Sequence, residues 1–280
     1  MAFSNIEDKF LVELQQKMEA DYNEFRKYQA ETIRTFSQFH DICTKHGIPY
    51  YLAYGSLLGA IRDGGQIPWD YDIDLWVPYE YAQKLVDALV QDLPQEYYFV
   101  TRVHDPAARH HIMRVTPVGY DSEVLHVDVF WLTGLPVDSK AREVIHQKML
   151  RSTKAMRIKH CAKELQGVSG KVSHIKYYLE RILYAFYPDK ATDKLFHRVM
   201  HDCQGHENLT DNFYAMELKA EWFGEPKTVT LASGQEACVP RDHDAILSWC
   251  YKDHRSYPSI ESRVREFQAA LTRLRKFAKK

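Results

Sequence analysis

Two aspartates that alternate with apolar residues constrain the fold of this chain more than any other feature. Asp72 and Asp74 are interleaved with Ile73, Leu75 and Val77, which is the two-residue period of a strand with one buried and one polar face. On such a strand both carboxylates project to the same side, with Cα atoms roughly 6.6 to 7 Å apart. Like charges this close call for a cation, so the pattern predicts a site for Mg2+ or Mn2+ and a substrate phosphate.

A Gly-Ser pair precedes the acidic strand. Residues 50–54 read as a short strand that leads to Gly55 and Ser56, and the brief helix that follows stops at residues 64–65. Small and hydroxyl residues where a helix begins allow backbone N–H groups to approach a phosphate, and Ser56 is also a favourable N-cap. Strand, Gly-Ser, helix and Asp-x-Asp strand are together typical of the nucleotidyltransferase fold.

A third aspartate, Asp128, lies in an apolar strand predicted over residues 124–132. His126 and Phe130 share its face of that strand. A lone carboxylate in such a strand is unfavourable without a partner, so Asp128 is predicted to be the third member of the metal cluster. The alternative is that all three aspartates are surface carboxylates on edge strands.

The composition is that of a globular protein without a bias towards nucleic acid. Of 280 residues, 45% are hydrophobic, and the formal net charge is −1. The first residues are charged, and no stretch approaches the roughly 20 apolar residues that span a bilayer, so the cytoplasm is the expected location. Five widely spaced cysteines argue against a disulfide framework.

The hydrophobic pattern divides the chain into four segments. Residues 1–46 read as an N-terminal helix, 47–140 as a catalytic core, 141–212 as a helical annex rich in Lys, Arg and His, and 213–280 as a β and helical segment on the acceptor side. The predicted fold class is α/β or α+β, with a small mixed sheet, helices packed on it and a helical extension. In the last segment we expect short strands at 213–216, 228–231 and 237–239 and helices over 242–251 and 259–279.

Two blocks of the core, GSLLGAIR at residues 55–62 and IPWDYDID at residues 67–74, resemble the signature of the LicD/fukutin family of phosphotransferases. Fainter echoes occur around Asp128 and over residues 239–258. Members of the family move a phosphorylated alcohol, such as phosphocholine or ribitol phosphate, from a CDP-activated donor to a glycan. The resemblance therefore implies a CDP-alcohol donor such as CDP-choline, release of CMP, and a cell-surface glycan such as lipopolysaccharide, or its lipid-linked precursor, as acceptor.

The sequence departs from the family pattern at three positions. Asp63 stands where His is common, and Tyr71 stands where another Asp is common, which leaves the identity of the donor open. The echo at residues 249–253, WCYKD, lacks the usual Gly before its last residue. That segment is predicted to line the acceptor side, with a packed helix and loop as the alternative.

The resemblance and the strand pattern together imply a role for each site residue. Asp72 and Asp74 hold the metal ions and the donor pyrophosphate, and Asp128 binds metal or acts as the general base towards the acceptor hydroxyl. Asp70 is either a supporting group behind the metal or the cap of a turn. The alternative for the predicted phosphate contact Arg62 is an ion pair, with Asp70 as one candidate partner. The predicted substrate-binding residues are Gly55, Ser56, Arg62, Trp69 and Arg114.

Two patterns outside the core have both a functional and a structural interpretation. Histidines and cysteines in the annex have spacings that favour a structural zinc site, although free histidines on a basic annex are common. The basic terminal helix is a candidate for contact with anionic lipid at the inner face of the membrane, and a solvated face is the alternative. The zinc candidates are His160, Cys161, His201, Cys203 and His206.

Two other functions use the same carboxylates. A nucleotidyltransferase would attack the α-phosphorus of an NTP and release pyrophosphate, and a non-catalytic protein would bind a nucleotide without turnover. A third aspartate on a neighbouring strand favours catalysis over binding alone, and only the products separate the two enzymatic readings.

Overall fold

A computed structural model describes the backbone of residues 7–160 and 171–277 and the side chains of residues 19–160 and 175–277. The helices in these ranges are α1 (Glu7–His46), α2 (Tyr54–Arg62), α3 (Ala82–Asp92), α4 (Ser139–His160), α5 (Lys171–Ala185), α6 (Asp189–Val199), α7 (His243–Tyr251) and α8 (Ile260–Phe277). The strands are β1 (Tyr51–Leu52), β2 (Ile73–Pro78), β3 (Tyr97–Val100), β4 (Met113–Pro117), β5 (Val127–Leu135), β6 (Asn208–Asp211), β7 (Leu218–Lys219), β8 (Lys227–Thr230) and β9 (Glu236–Val239).

Strand β5 is the centre of the main sheet. It pairs in parallel with β2 along one edge and antiparallel with β4 and then β6 along the other. The sheet continues from β2 to β1, from β4 to β3 and from β6 to β7. All nine residues of β5 are buried. The mixed, curled sheet with helices packed on it confirms the fold class predicted from the sequence.

The long helix α1 covers the sheet next to the predicted site. Phe36 and Phe39 are fully buried, and their rings meet that of Tyr50 at centroid distances of 5.9 and 5.7 Å. The helix ends at Gly47, whose φ of +58° is one that glycine adopts without steric penalty. This packing fixes the position of Tyr50, the residue directly before β1.

Two element boundaries near the site differ from the sequence predictions. The strand predicted over 50–54 comprises only Tyr51–Leu52, because Tyr54 already begins α2. The strand predicted over 124–132 begins at Val127, because the N–H groups of residues 124 and 125 bind the carbonyl of Asp121 in a turn. Both strands therefore start later than periodicity alone suggests, and the first also ends sooner.

The strand predicted over 213–216 is wrong. Asp211 accepts hydrogen bonds from the N–H groups of Phe213 and Tyr214 at 2.8 and 2.7 Å, which folds this stretch into a turn between β6 and β7. Phe213 and Tyr214 therefore lie in the turn that follows β6 and are not part of a strand. The strand β6 itself falls inside the segment predicted as the annex, and it belongs to the main sheet.

Helices α4, α5 and α6 make up most of the annex. Helix α4 contacts both of the others, and α6 buries Phe196 and Val199. Among the helices of residues 7–160 and 171–277, none has the length and apolar character that crossing a bilayer requires.

The C-terminal helix returns to the start of the chain. Phe267 of α8 packs on Phe25 of α1 at a centroid distance of 5.0 Å. Arg275 pairs with Asp21 and Glu24 of α1, and Arg273 donates to the carbonyl of Glu123 at 2.8 Å. These two cations of the predicted lipid-binding helix are thus engaged within the protein, and a third, Arg263, is buried.

We predict that Gly59→Ala destabilises the protein by about 1 to 3 kcal/mol, because a Cβ there overpacks a closed corner. It would stand 2.5 Å from the carbonyl oxygen of Gly65 and 2.9 Å from the nitrogen of Ile67. Urea denaturation measures the change. Gly65→Ala is the matched control, because its Cβ would meet no atom closer than 3.9 Å. Equal stability of the two variants would contradict this account of the corner.

Candidate active site

The carboxylates predicted to act together lie side by side on neighbouring strands. Asp74 of β2 is the register partner of Asp128 of β5, and Asp128 is the register partner of Arg114 of β4. Paired strands are about 4.8 Å apart, so the three residues form a row across the sheet. Asp72 lies just before β2, one residue short of the strand that was predicted to contain it.

Both backbone groups of Asp74 are tied to the corner between β1 and α2. The N–H of Ala53 donates to the carbonyl of Asp74 at 2.8 Å, and the N–H of Asp74 donates to Ser56 Oγ at 2.8 Å. The prediction that Ser56 caps α2 is wrong, because the N-cap is Ala53 and no side chain caps it. Ser56 instead fixes the acidic strand against the first turn of the helix.

Gly55 makes room for a fourth carboxylate. A Cβ at this position would stand 3.2 Å from Asp70 Oδ2, so any other residue would require Asp70 to shift by a few tenths of an ångström. Asp70 accepts a hydrogen bond from the N–H of Tyr71 at 3.0 Å, and its carboxyl group is close enough to that of Asp72 to raise the pKa of Asp72. The structure thus favours the reading of Asp70 as part of the acidic cluster over that of a simple turn cap.

Three of the four carboxylates have raised pKa values. Burial raises the pKa of Asp72 and of Asp74 well above the usual range, and repulsion from the neighbouring aspartates adds to it. Burial is also the largest cause of the raised pKa of Asp70. In the absence of a cation, the surroundings of Asp70, Asp72 and Asp74 therefore favour the protonated over the charged form of these groups.

Asp128 has the opposite electrostatic character. Its Oδ1 accepts from Arg114 Nε at 2.8 Å, and its Oδ2 lies 3.2 Å from His126 Nε2. Burial alone would raise its pKa, but His126 and Arg114 outweigh that effect and hold the pKa of Asp128 well below its usual range. A carboxylate with a lowered pKa is a weaker general base, and the base role predicted for Asp128 stays a prediction.

Arg114 is the centre of a buried charge network. Besides Asp128 it contacts Glu123, with 2.9 Å between Nη1 and Oε2, and Glu123 in turn lies 3.0 Å from His110 Nε2. Burial opposes the charge of Arg114, but both carboxylates raise its pKa above the usual value. The phosphate contact predicted for Arg114 would compete with two ion pairs, so its place in this structure is that of a buried counter-ion.

Arg62 and Trp69 belong to a stack beside the cluster. Arg62 pairs with Asp63 at 2.9 Å rather than with Asp70, and its guanidinium lies 4.3 Å from the ring centroid of Tyr257 and 5.7 Å from that of Trp69. The hydroxyl of Tyr257 donates to Asp63. Arg62 is therefore ion-paired, which is the alternative that the sequence analysis left open.

This stack lines a cavity of about 510 Å3 that reaches Gly55 and Asp70. Its far wall comes from the segment with the fainter family echo, including Tyr251 and His254. Lys252, where the family pattern has Gly, adopts a φ of +55°, a conformation that favours glycine. The echo is thus a turn at the rim of the acidic cluster, and its placement agrees with a substrate-lining role.

A second cavity, of about 560 Å3, has a basic wall. Lys154 and Arg157 of α4 and Lys176 of α5 line it together with Tyr214. Tyr214 packs on Tyr54, the first residue of α2, at a centroid distance of 4.9 Å, and burial together with the charges of Asp74, Asp128 and Asp72 raises its pKa. Asp70 thus lines the aromatic cavity, and the basic cavity approaches the cluster through Tyr214.

Tyr54 and Asp211 are site residues that the sequence analysis missed. The hydroxyl of Tyr54 donates to Asp211, and the ring of Tyr54 meets those of Trp76 and Tyr214 at 4.9 Å each. Tyr54 has a φ of +45°, which is strained for a tyrosine. No local pattern signals this contact, since the two residues are 157 positions apart.

The acidic cluster has the ligand atoms that a divalent cation prefers, but its side chains do not converge on one point. Within the described residues, no three His, Cys, Asp or Glu side chains form a ready-made metal site. Mg2+ and Mn2+ prefer carboxylate oxygens, and a cation between Asp72 and Asp74 would offset the burial and mutual repulsion that raise their pKa values. These two residues fit the ion, with Asp70 beside them. Each oxygen of Asp128 already has one partner, Arg114 or His126, but keeps a second lone pair, so its role as a metal ligand stays a prediction.

Two of the zinc candidates, His160 and His206, have other partners for their side chains. His160 lies 3.0 Å from a carboxylate oxygen of Asp189, and His206 Nδ1 lies 2.9 Å from the carbonyl of Leu135. The N–H of Cys203 donates to Glu80 at 3.1 Å, and Cys161 lies outside the described residues. The contacts of this part of the chain give the zinc hypothesis no support.

Comparison with known proteins identifies the region that contains the site. Residues 47–168 match the family model of the LicD/FKTN/FKRP nucleotidyltransferase domain. The lipopolysaccharide cholinephosphotransferase LicD of Haemophilus influenzae is 37% identical over 76 residues, which are 27% of this chain and 29% of that protein.

Two further relatives match over shorter shares of their length. The human ribitol 5-phosphate transferase FKRP is 59% identical over 34 residues, 12% of this chain and 7% of its own. Mannosyltransferase regulator 4 of Saccharomyces cerevisiae is 39% identical over 75 residues, 25% of this chain and 6% of its own. The chain thus spans less than a third of the length of these curated relatives.

We predict that Arg114→Met lowers the free energy of unfolding by about 3 to 5 kcal/mol, because it leaves two buried carboxylates without their counter-ion. Urea denaturation monitored by circular dichroism gives the value. Arg275→Met is the control: this arginine pairs with Asp21 and Glu24 at the surface, where removal of a pair costs about 1 kcal/mol or less. A loss at Arg114 no larger than at Arg275 would refute the role of the network.

We also predict that Asp74→Asn raises the melting temperature in the presence of a chelator, because it relieves the repulsion among the carboxylates. A raised folded-state pKa means that wild-type stability falls as pH rises above the ordinary aspartate value of 3.8. The gain from Asn should therefore be larger at about pH 8 than at about pH 5. Thermal melts at both values test this, and a gain that shrinks with rising pH would contradict the assignment.

Proposed function

Because the chain carries a LicD/FKTN/FKRP nucleotidyltransferase domain, we propose that it transfers a phosphorylated alcohol from a CDP-activated donor to a hydroxyl of a glycan. The observation that carries the proposal is the row of Asp74 and Asp128 on paired strands beside the first turn of α2, with Asp72 and Asp70 next to it. The relatives named as cholinephosphotransferase and ribitol 5-phosphate transferase support this class of reaction.

Asp72 and Asp74 are the proposed ligands of Mg2+ or Mn2+. When bound, such an ion neutralises the charge of phosphate oxygens and makes the phosphorus more electrophilic. Without it, the donor pyrophosphate would meet a cluster whose aspartates already repel one another. The clamp of Ser56 and Ala53 on the backbone of Asp74 keeps this carboxylate in place while the donor binds.

The two cavities support a division between donor and acceptor. Phosphate groups suit the basic cavity, because Lys154, Arg157 and Lys176 supply positive charge on its wall. A sugar suits the other cavity, because Trp69, Tyr251 and Tyr257 offer apolar ring faces next to carboxylates. The acceptor oxygen attacks the distal phosphorus of the donor pyrophosphate. The bond between this phosphorus and the bridging oxygen breaks, and CMP leaves with the electron pair of that bond.

Asp128 acts in this proposal as a fixed negative charge. Its low pKa keeps it ionised, so that it holds Arg114 and His126 in place beside the cluster. The proton of the acceptor hydroxyl then goes to water or to the phosphate of the departing CMP.

The test is product analysis by mass spectrometry after incubation with Mg2+ or Mn2+, CDP-alcohols, NTPs and candidate saccharides, with and without chelator. We expect chelator-sensitive release of CMP from one CDP-alcohol and a phosphorylated saccharide. Asp74→Asn should lower the rate by about a hundredfold or more, since it removes a charge that acts on the transition state. The control Asp87→Asn, at an exposed carboxylate of α3, should leave the rate unchanged.

Three outcomes would contradict the proposal. Release of pyrophosphate from an NTP would make the protein a nucleotidyltransferase. Tight binding of a nucleotide without turnover would make it a binding protein. Full activity of Asp74→Asn would remove the acidic cluster from the mechanism.

A further inference from the structure

Helix α5 presents an apolar stripe to solvent. Four large side chains of α5 recur at positions i, i+4, i+7 and i+8, which is the spacing of a single helical face, and a fifth follows directly after the helix. Their exposed fractions are between 61 and 83%. We call this set the α5 stripe: Ile175, Leu179, Ile182, Leu183 and Phe186.

The stripe points away from the rest of the annex. Tyr177, on the opposite side of α5, is only 4% exposed and lines the basic cavity against α4. The hydroxyl of Tyr177 accepts a hydrogen bond from Arg181 at 2.8 Å. One side of α5 therefore serves the fold, and the stripe on the other side serves no packing role among the described residues. A contiguous exposed patch of this kind, rimmed by polar groups, marks an interaction site.

Charge distinguishes among partners for the stripe. Residues 139–203 contain 14 Lys and Arg against 6 Asp and Glu, a net charge of +8, while the whole chain has −1, so the remaining residues carry −9. A protein with such a division orients its positive end towards an anionic surface and its negative remainder away from it. Among the exposed residues, Lys176, Arg181 and Lys190 are cations on or next to α5.

We propose that the α5 stripe docks on an anionic membrane surface. An amphipathic helix with Leu, Ile and Phe on one side and Lys or Arg at its flanks lies in the lipid interface with its apolar side inserted, and anionic lipids add attraction for each basic residue near the surface. The terminal helix α8, the earlier candidate, has Arg263, Arg273 and Arg275 engaged within the protein.

Docking through α5 would hold the basic cavity about one helix diameter, roughly 10 to 12 Å, from the lipid surface. The same helix contributes Lys176, Tyr177 and Glu180 to the wall of that cavity, which Tyr214 joins to the acidic cluster. The consequence that the glycan acceptor is lipid-linked rests on the proposed function. The docking itself rests only on the surface of α5 and on charge.

Flotation with lipid vesicles tests the docking without any donor or acceptor. We expect the full chain to float with vesicles of equal parts phosphatidylcholine and phosphatidylglycerol, to stay behind with pure phosphatidylcholine, and to dissociate in high salt. The double variant Ile182→Glu and Phe186→Glu should reduce the bound fraction about tenfold or more, because it removes two inserted side chains. Phe186→Ser is a milder variant should the double one fail to fold.

The matched control is Val90→Glu, which places the same charge at an apolar side chain of α3 that is 62% exposed and lies outside the stripe. It should float like the wild type. Absence of flotation, or equal flotation of the stripe variants and the wild type, would overturn the proposal. So would sedimentation velocity that shows a dimer lost in the stripe variants without lipid binding, since the stripe would then be a contact between two copies. Because the assay needs no turnover, its failure leaves the proposed phosphotransfer untouched, and failure of the transfer leaves the docking untouched.

Discussion

The ion pair between Arg114 and Asp128 is the interaction on which the arrangement of the site depends. Strand β5 is buried along its whole length, so a carboxylate in it needs a compensating charge within the protein. Arg114 supplies this charge from the register position on β4, and His126 supports it from the same side. Asp128 can therefore stay ionised only when β4 pairs with β5 in the register that places Arg114 beside it.

The network divides the acidic groups of the site into two classes. Glu123 and Asp128 are neutralised by cations of the chain, which hold their pKa values below the usual range despite burial. At Asp72 and Asp74, burial and mutual repulsion outweigh the attraction of His126 and Arg114 and raise the pKa values. The three aspartates and one glutamate thus differ in what they can bind, because only Asp72 and Asp74 gain from a cation that comes from outside the chain.

Local periodicity predicted the fold class and the shared face of the acidic strand, because alternation is a property of one strand. It could not predict that Asp74 pairs with Asp128 or Asp128 with Arg114, since register depends on which strands become neighbours. Ser56 shows the same limit. Its type and place favoured a helix cap, but the N–H group within reach of its hydroxyl belongs to Asp74, 18 residues later. Tyr54 and Asp211 left no signal at all, because neither belongs to a recognisable motif without the other.

The strained backbone of Tyr54 shows how tightly the corner before α2 is determined. A φ of +45° costs a non-glycine residue roughly 1 kcal/mol or more, and glycine there would remove that cost. Glycine would also remove the ring that packs on Trp76, Phe130 and Tyr214 and the hydroxyl that satisfies the buried carboxyl group of Asp211. Aromatic contacts contribute about 0.5 to 1.5 kcal/mol each beyond burial, so three of them outweigh the strain. Through Asp211 and Tyr214, Tyr54 connects β6 and the turn after it to the corner that holds Ser56 and Asp74. This connection fixes the wall of the basic cavity relative to the acidic cluster.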